Sequence, residues 1–275
     1  MTQRRLLLTG AVGGMGRACA RLLGATHDLV LTGRSAAALE AFAEELRLEG
    51  YKVLQARAGD LEDDALQQAL VGDLGGEAPF TLVHAAGVST TLADWQTILR
   101  VNLVATAKLL DRVEPALRPG SVGILISSTA AYLRQPPAEL QAVLDMPEAP
   151  DFMTRVTPLI EELATSSPAG INGVSYAFSK QAVVRMVEQR AMRWGQSGAR
   201  ILSISPGLIL TPMGHKELAN APDTNAIFNA LPVGRAGRPI DVAFAAQYLA
   251  SDAASYITGC DLRIDGGWLP SVRFK

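Results

Sequence analysis

The 275-residue sequence predicts a single α/β domain built on a doubly wound parallel sheet, and three observations indicate this fold class. Short apolar runs alternate with longer amphipathic segments along the chain. Several of the short runs are apolar at every position, as in parallel strands that helices cover on both faces. Hydrophobic residues make up 48% of the chain and charged residues 19%, which is enough apolar side chain for one sizeable core.

The apolar runs and the amphipathic segments give the order of the elements. Seven runs predict strands, at residues 5–9, 28–33, 52–57, 81–87, 122–127, 200–207 and 261–267. Six segments have the helical period of apolar residues, at 16–24, 36–50, 63–74, 94–117, 176–195 and 239–251. Because no repeat, linker or low-complexity segment interrupts this order, residues 1–275 are predicted to form one domain.

Residues 129–172 break the alternation between the fifth strand and the helix that follows it. This segment is rich in proline and is too long for an ordinary connection. Two pieces of it, near 138–146 and 155–165, have helical character and carry apolar residues that must be buried. We therefore predict a helical insertion that narrows the substrate cleft and covers one face of the helix at 176–195. The alternative is a surface insertion without a role.

Composition and charge limit the classes of function. The formal net charge is −2 and no basic stripe is present, so a nucleic-acid partner is not expected. No stretch reaches the ~18 apolar residues of a membrane helix, and the apolar run at the N-terminus is too short for a signal peptide. Cys19 and Cys260 lie far apart without metal-ligand spacing. We therefore expect a reduced, cytoplasmic protein with no membrane segment and no metal site.

A glycine-rich turn joins the first strand to the first helix. Thr9, Gly10, Gly14 and Gly16 form the pattern T-G-x-x-x-G-x-G. Glycines allow positive φ and a close approach of the backbone to a ligand, and the helix N-terminus attracts a pyrophosphate. The turn therefore predicts a dinucleotide site of the Rossmann type. The alternative is a glycine-rich turn that binds nothing.

The end of the second strand indicates which dinucleotide binds. An acidic residue usually holds the adenosine ribose at this place, but the sequence has Gly33, Arg34 and Ser35 there. A guanidinium can grip a 2′-phosphate with two hydrogen bonds. NADP(H) is therefore favoured, although NAD(H) remains possible, and the alternative is an Arg34 that is only solvated. Asp60 and Leu61, after the third strand, are expected beside the adenine.

A tyrosine and a lysine four residues apart form the second chemical feature. Tyr176 and Lys180 lie one turn apart on the same face of a predicted helix. A phenol has a pKa near 10, and a neighbouring cation lowers that pKa. Tyr176 can then act as the acid when a carbonyl is reduced and as the base in the reverse reaction. The alternative is an ordinary pair on a helix surface.

Two serines end the fifth strand and provide a further hydroxyl. Ser127 and Ser128 are adjacent and therefore point to opposite faces of the sheet. Either one could donate a hydrogen bond to a substrate oxygen. A second tyrosine, Tyr132, follows them, but Pro136 stands where its partner lysine would be.

Together these motifs resemble the short-chain dehydrogenase/reductase family. Seven of them occur in the family's order over nearly the whole chain apart from the insertion: T-G-x-x-x-G-x-G, "HAAG" (84–87), "VNL" (101–103), "ISS" (126–128), "YAFSK" (176–180), "SPG" (205–207) and "DGG" (265–267). The resemblance implies that Asn102, Ser128, Tyr176 and Lys180 are catalytic. It gives Ser128 the hydrogen bond to the substrate oxygen and Asn102 a part in a water-linked proton relay. Lys180 would also hold the nicotinamide ribose.

The resemblance implies further cofactor contacts and a substrate lid. The cofactor contacts are Met15, Ala85, Ala86, Gly87, Tyr176, Lys180, Pro206, Gly207, Ile209 and Thr211. The loop-rich region 207–237 should cover the substrate, with Met213, Ile227, Phe228 and Leu231 as its apolar residues.

Two features depart from the family's usual pattern. His84 stands where asparagine is usual, and we expect it to be a polar residue that bonds neighbouring backbone. The insertion separates Ser128 from Tyr176 by far more residues than is usual. Bacterial 3α-hydroxysteroid dehydrogenase/carbonyl reductases resemble this chain in carrying a comparable insertion, although they usually have an aspartate near the position of Arg34.

The sequence thus predicts an NADP(H)-dependent oxidoreductase that interconverts a ketone and a secondary alcohol on an apolar, cyclic or steroid-like small molecule. One alternative is a 3-oxoacyl-thioester reductase, but the basic residues Arg134, Arg155, Lys216 and Arg235 are too scattered for a carrier-binding patch. A non-catalytic dinucleotide sensor is an alternative of another class. The family's oligomers suggest a homodimer or homotetramer, and we expect a homodimer formed through residues 239–267.

Overall fold

A seven-stranded parallel sheet forms the centre of the computed structural model, which describes residues 4–219 and 231–274. Its order is β3-β2-β1-β4-β5-β6-β7. The strands are β1 (Arg4–Thr9), β2 (His27–Gly33), β3 (Val53–Ala58), β4 (Phe80–His84), β5 (Val122–Ile126), β6 (Arg200–Pro206) and β7 (Asp261–Ile264). The direction of winding reverses between β1 and β4, which is the place where such sheets bind ligands. The predicted fold class is therefore confirmed.

Helices cover both faces of this sheet. They are α1 (Gly14–Gly24), α2 (Ala36–Leu48), α3 (Asp64–Leu74), α4 (Trp95–Leu99), α5 (Ala105–Val113), α6 (Ala138–Leu144), α7 (Phe152–Thr165), α8 (Gly170–Gln196), α9 (Pro212–Ala219), α10 (Pro239–Ala250) and α11 (Trp268–Arg273). Neighbouring residues of β1 point to opposite faces of the sheet. Leu6 and Leu8 therefore join the core that contains α1, α2 and α10, whereas Leu7 joins the core that contains α3, α5 and α8. None of the helices within the described ranges is long and apolar enough to cross a membrane.

The helix predicted over 94–117 is interrupted by a π-helical turn at Arg100–Val104. Asn102 lies in this turn, and the hydroxyl of Thr106 donates a hydrogen bond of 2.9 Å to its backbone carbonyl. Such turns are common at functional sites because the extra residue rotates a side chain away from the regular helix face. The prediction of one continuous helix was therefore wrong at the residue that the family resemblance marks as catalytic.

The helix that carries Tyr176 and Lys180 begins at Gly170, earlier than the predicted residue 176. Both residues therefore lie inside a regular helix rather than near its first turn. Ser175 and Ser179, which are the neighbours of Tyr176 in the motif, are fully buried there. Ser179 donates a hydrogen bond of 2.8 Å to the carbonyl of Tyr176.

The two helices of the insertion, α6 and α7, pack against α8. Leu144 of α6 and Ile160 of α7 are buried in the core that contains α8. Asp145, directly after α6, receives two hydrogen bonds from Arg185 of α8, at 2.9 and 2.7 Å. The insertion therefore covers a face of α8 and forms part of the core.

Replacing Ile160 by alanine should lower the free energy of unfolding by ~2–5 kcal/mol, because the side chain is 0% exposed and its loss leaves a cavity. Met146→Ala is the matched control, since Met146 lies in the same insertion but is 58% exposed. Denaturant unfolding of both variants measures the difference. Equal, small effects would mean that the insertion is only loosely attached to α8.

Candidate active site

A cavity of about 450 Å³ lies at the carboxyl edge of the sheet, where β1, β2 and β4 end. It is lined by most of the predicted cofactor residues, namely Gly10, Gly14, Met15, Gly16, Arg34, Ser35, Asp60, Leu61, Ala85, Ala86, Gly87 and Thr211. The cavity is also lined by residues that the sequence did not single out: Val12, Gly13, Thr32, Gly59, Val88, Leu92, Val101 and Pro212. Met213, which was predicted for the lid, and Lys216 line it as well. Thr9 was also predicted to touch the cofactor but is absent from this wall, because its side chain is fully buried against His84 and Ala86.

Glycines are required where the first strand meets the first helix. Gly10 has a φ of 65°, and a Cβ there would lie 2.7 Å from the carbonyl oxygen of Ala85. A Cβ at Gly14 would lie 2.6 Å from the methyl group of Thr211. No side chain caps the N-terminus of α1, so its first N–H groups can face a ligand. This cradle suits a pyrophosphate.

The adenosine end of the cavity contains a polar atom without a partner. The hydroxyl of Thr32 is buried and makes no hydrogen bond within the described chain. Arg34 is exposed at the rim, and its guanidinium forms no ion pair with any described residue. Ser35 accepts a hydrogen bond from Ala38 N at the start of α2, at 3.3 Å. A buried hydroxyl and a free cation beside a glycine cradle fit a dinucleotide.

A second cavity, of about 380 Å³, adjoins the first, and Met15, Thr211 and Met213 line both. Its other lining residues are Ser127, Ser128, Thr129, Ala130, Leu133, Tyr176, Pro206, Gly207, Leu208, Ile209, Gly214, Leu218, Leu231 and Trp268. None of these side chains is charged. Pro206, Gly207 and Ile209, which were predicted to touch the cofactor, line this second cavity and are absent from the walls of the first.

The insertion borders this second cavity only through its first residues. Thr129, Ala130 and Leu133 line it, whereas α6 and α7 pack against α8. The prediction that the insertion narrows the cleft therefore applies to its entry segment and is wrong for its helices. In the predicted lid, Met213 and Leu231 line the cavity, and Ile227 and Phe228 lie outside the described residues.

The two serines after β5 have different surroundings. Ser127 is buried, and its hydroxyl donates a hydrogen bond of 2.8 Å to the backbone carbonyl of Lys180. Ser128 lines the second cavity together with Tyr176. Its oxygen accepts a hydrogen bond from Ala130 N at 3.2 Å, which leaves the O–H hydrogen for another acceptor. Both serines border the cavity that Tyr176 lines, but the hydrogen of Ser127 is committed to Lys180, whereas that of Ser128 is not committed to Ala130.

Lys180 is buried close to the ring of Tyr176. Its Nζ donates a hydrogen bond of 3.0 Å to the carbonyl of Ile126 and lies 5.9 Å from the centre of the Tyr176 ring. Burial lowers the pKa of Lys180 to about 8. A Cβ at Gly87 would be 3.4 Å from this Nζ, so the lysine also reaches the wall of the first cavity. One cation thus serves both the tyrosine and the dinucleotide cavity.

Asn102 supports the same wall from the π-helical turn. Its side-chain oxygen accepts from Val88 N at 2.8 Å, and its amide donates to Val88 O at 2.9 Å. The amide also lies 3.5 Å from the hydroxyl of Ser179. The side chain of Asn102 therefore holds the loop after β4, and its backbone carbonyl receives the bond from Thr106.

The remaining candidates have structural partners. The hydroxyl of Tyr132 donates a hydrogen bond of 2.7 Å to Asp261, and burial together with this carboxylate raises the pKa of Tyr132 well above its ordinary value. His84 contacts the hydroxyls of Thr9 and Thr106 rather than the backbone that we expected. His215 is exposed on α9. Across 4–219 and 231–274, no group of His, Cys, Asp and Glu residues could hold a metal ion.

Sequence reasoning missed several wall residues that follow recognisable motifs. Val88 comes directly after the "HAAG" run, and Trp268 comes directly after "DGG". Thr32 precedes the Gly33-Arg34 pair. Their positions next to these motifs are the signal that could have identified them.

Comparisons with known proteins agree with this geometry. The family model described as short chain dehydrogenase matches residues 4–140, and the model described as Enoyl-(Acyl carrier protein) reductase matches residues 163–269. The 3-alpha-hydroxysteroid dehydrogenase/carbonyl reductase of Comamonas testosteroni is 30% identical over 95% of this chain and 95% of that protein. This chain belongs to the short-chain dehydrogenase/reductase family. It is therefore an oxidoreductase of alcohols and ketones that uses a nicotinamide dinucleotide.

Other relatives show how far the similarity extends. An uncharacterized short-chain type dehydrogenase/reductase, y4vI of Sinorhizobium fredii, is 29% identical over 97% of this chain, which spans only 44% of that protein. The 3-alpha-hydroxysteroid dehydrogenase from Pseudomonas sp. B-0831 complexed with NADH is 25% identical, with a TM-score of 0.77 and 98% of each chain covered. A short chain dehydrogenase from Burkholderia cenocepacia in complex with NADP, 22% identical, shares the fold with a TM-score of 0.74, covering 97% of this chain and 98% of that one.

Replacing Tyr176 by phenylalanine should lower kcat by roughly 10²–10⁴-fold, because the proton donor is lost while the ring remains. Tyr132→Phe is the matched control, since its hydroxyl is bonded to Asp261 and lies apart from the proposed chemistry. Steady-state kinetics with a saturating dinucleotide and a cyclic ketone compares the two variants. If Tyr132→Phe were the inactive variant, the acid would be assigned to the wrong tyrosine.

Proposed function

We propose that this protein is an NADP(H)-dependent oxidoreductase that interconverts a ketone and a secondary alcohol on an apolar, cyclic substrate. The observation that carries the proposal is the junction of the two cavities. Ser128 and Tyr176 line the uncharged cavity, and Lys180 lies between Tyr176 and the glycine-rich cavity. A carbonyl placed at this junction would have hydrogen-bond donors on one side and the dinucleotide cavity on the other.

Each residue of this set has a separate task. The bound nicotinamide would supply or accept a hydride. The hydroxyl of Tyr176 gives its proton to the carbonyl oxygen as the alcohol forms and takes a proton in the reverse direction. The ammonium of Lys180 stabilises the phenolate that remains. The free O–H of Ser128 donates to the same carbonyl oxygen and polarises the bond.

The second cavity favours a neutral substrate. Its described walls combine Leu133, Leu218, Leu231 and Trp268 with hydroxyls and contain no charged side chain. A carboxylate or phosphate would lose its hydration there without gaining a counter-charge, and a polyol would lose hydrogen bonds to water. This supports an apolar ring system. It favours that substrate class over a 3-oxoacyl thioester, whose carrier would need a basic surface at the entrance.

The adenosine end supports NADP(H). Arg34 borders the cavity without an ion-pair partner among the described residues, and no acid follows β2 at that position. A free guanidinium can receive a 2′-phosphate, whereas an acid would repel it. Lys216 of α9 borders the same cavity and adds a second positive charge.

We also propose a homodimer that uses β7 and α10. Ile240, Phe244 and Tyr248 follow each other at four-residue spacing on α10 and are 37%, 55% and 48% exposed. Leu262, on the edge strand β7, is 38% exposed. Since α6 and α7 already cover α8, an assembly through α8 is disfavoured.

Replacing Arg34 by alanine should weaken NADPH binding by roughly tenfold to a hundredfold, because charge-assisted hydrogen bonds contribute about 1.5–3 kcal/mol. NADH binding should remain nearly unchanged, and Arg34→Lys should retain part of the preference. Fluorescence titration of wild type and both variants with the two dinucleotides measures this. A wild type that binds NADH as tightly as NADPH would contradict the assignment.

Replacing Trp268 by alanine should raise KM for a bulky cyclic ketone by about tenfold and change KM for a small ketone much less, because the indole forms part of the apolar wall. Phe274→Ala is the control, since Phe274 ends the same segment but is 86% exposed. NADPH consumption assays across cyclic ketones, polyols and acyl thioesters provide the comparison. No turnover of any substrate despite tight NADPH binding would favour a dinucleotide sensor.

A further inference from the structure

A buried histidine lies at the centre of a hydrogen-bond chain beneath the dinucleotide cavity. His84, at the end of β4, is 4% exposed. Its Nδ1 lies 2.9 Å from the hydroxyl of Thr9, and its Nε2 lies 2.8 Å from the hydroxyl of Thr106. Thr9 also contacts Ala86 N at 3.2 Å, and Thr106 contacts Asn102 O at 2.9 Å. The chain therefore connects the loop after β4 to the π-helical turn through the last residue of β1, His84 and Thr106.

The direction of every hydrogen bond in this chain follows from the groups at its ends. The carbonyl of Asn102 can only accept, so the hydroxyl of Thr106 donates its single hydrogen to it. The oxygen of Thr106 must then accept from His84, which places a hydrogen on Nε2. At the other end, Ala86 N can only donate, so the oxygen of Thr9 accepts from it.

The imidazole is neutral, which completes the assignment. Burial, together with the charge of Lys180, lowers the pKa of His84 to about 3. With its one hydrogen on Nε2, the ring has an unprotonated Nδ1. The hydroxyl of Thr9 therefore donates to Nδ1, and all four bonds run in one direction from Ala86 N to the carbonyl of Asn102.

The hydrogen-bond chain reaches both ends of the segment 86–88 in the cavity wall. Thr9 holds Ala86 directly, and the side chain of Asn102 holds both backbone groups of Val88. Gly87 lies between them, and a Cβ there would be 3.4 Å from the Nζ of Lys180. All three wall residues line the dinucleotide cavity.

We propose that His84, as the neutral Nε2–H tautomer, is a positioning residue that holds the 86–88 wall against Lys180 for dinucleotide binding. Its ring supplies a donor at Nε2 and an acceptor at Nδ1, as the two ends of the chain require. A protonated ring has no acceptor, and the other tautomer has its donor and acceptor exchanged. This role rests on the proposed function, because one of its two tests measures NADPH binding. The other test observes the tautomer of His84 and needs no cofactor.

The first test is the tautomer. The chain has three histidines, so ¹⁵N-labelled protein without an affinity tag gives few imidazole signals. We expect one ring whose Nε2 is protonated and whose Nδ1 is not, unchanged between pH 5 and pH 9. Its disappearance in His84→Phe assigns it. A charged ring or an Nδ1–H tautomer would overturn the proposal whatever the enzyme binds.

The second test is binding, with a matched histidine as the control. His84→Phe should raise the Kd of NADPH by roughly tenfold, because two buried hydroxyls lose their partner. The KM of the ketone at saturating NADPH should stay unchanged, and His84→Gln, which keeps a donor and an acceptor, should recover part of the affinity. The control residue is His27, which is also buried and is bonded to Thr26 and Thr81. It lies at the first residue of β2, whereas the dinucleotide cavity lies where β2 ends.

The control separates positioning from stability. His27→Phe removes a buried imidazole in the same way, so it should reduce the unfolding temperature while leaving the Kd of NADPH unchanged. Equal losses of NADPH affinity in folded His84→Phe and His27→Phe would refute the positioning role, and so would an unchanged Kd in His84→Phe. A wild type that binds neither NADPH nor NADH would refute the proposed function instead, and the tautomer measurement would still decide the hydrogen-bond chain.

Discussion

A reciprocal pair of hydrogen bonds between β5 and α8 is the contact on which the candidate site depends. The side chain of Lys180 donates to the backbone of Ile126, and the side chain of Ser127 donates to the backbone of Lys180. These bonds join the end of β5 to the helix turn that carries the lysine. Because Ser128 follows directly on the strand and Tyr176 precedes by one turn on the helix, both hydroxyls face the same cavity. A shift of either element would separate them and would also leave the ammonium buried without its carbonyl.

Further contacts near the C-terminal end of α8 fix the position of the helix along β5. Trp194, near the end of the helix, lies over Gly123 of β5, where a Cβ would be 2.6 Å from the ring. Arg190 is buried and pairs with Glu114 and with Glu148 of the insertion, at 2.7 and 2.9 Å. The helix is therefore fixed to the strand at Lys180 and again near its C-terminal end at Trp194. Removing one partner of such a buried charge cluster costs more than an exposed pair would, because the remaining charge stays desolvated.

The sequence predicted those parts of the molecule that follow from local pattern. All seven strands were expected from short apolar runs, which are continuous in several of the strands. The glycine turn was expected because its spacing suits a backbone with positive φ, which Gly10 adopts. The π-helical turn around Asn102 was missed, since its single extra residue leaves the apolar period of 94–117 almost unchanged. The partners of His84 were also missed. Thr106 lies 22 residues further along, and only the packing of α5 against the sheet brings it to the ring.

The short helix α9 borders both cavities. Thr211 caps the start of α9, where its hydroxyl accepts from Gly214 N at 3.0 Å. From this helix, Lys216 faces the dinucleotide cavity, Leu218 faces the substrate cavity, and Met213 lines both. The same helix therefore forms part of the wall of each cavity. Because Gly14 packs directly against Thr211, the cradle that receives the pyrophosphate also supports this shared wall. The contact between the glycine turn and α9 thus joins the wall of the first cavity to the wall of the second.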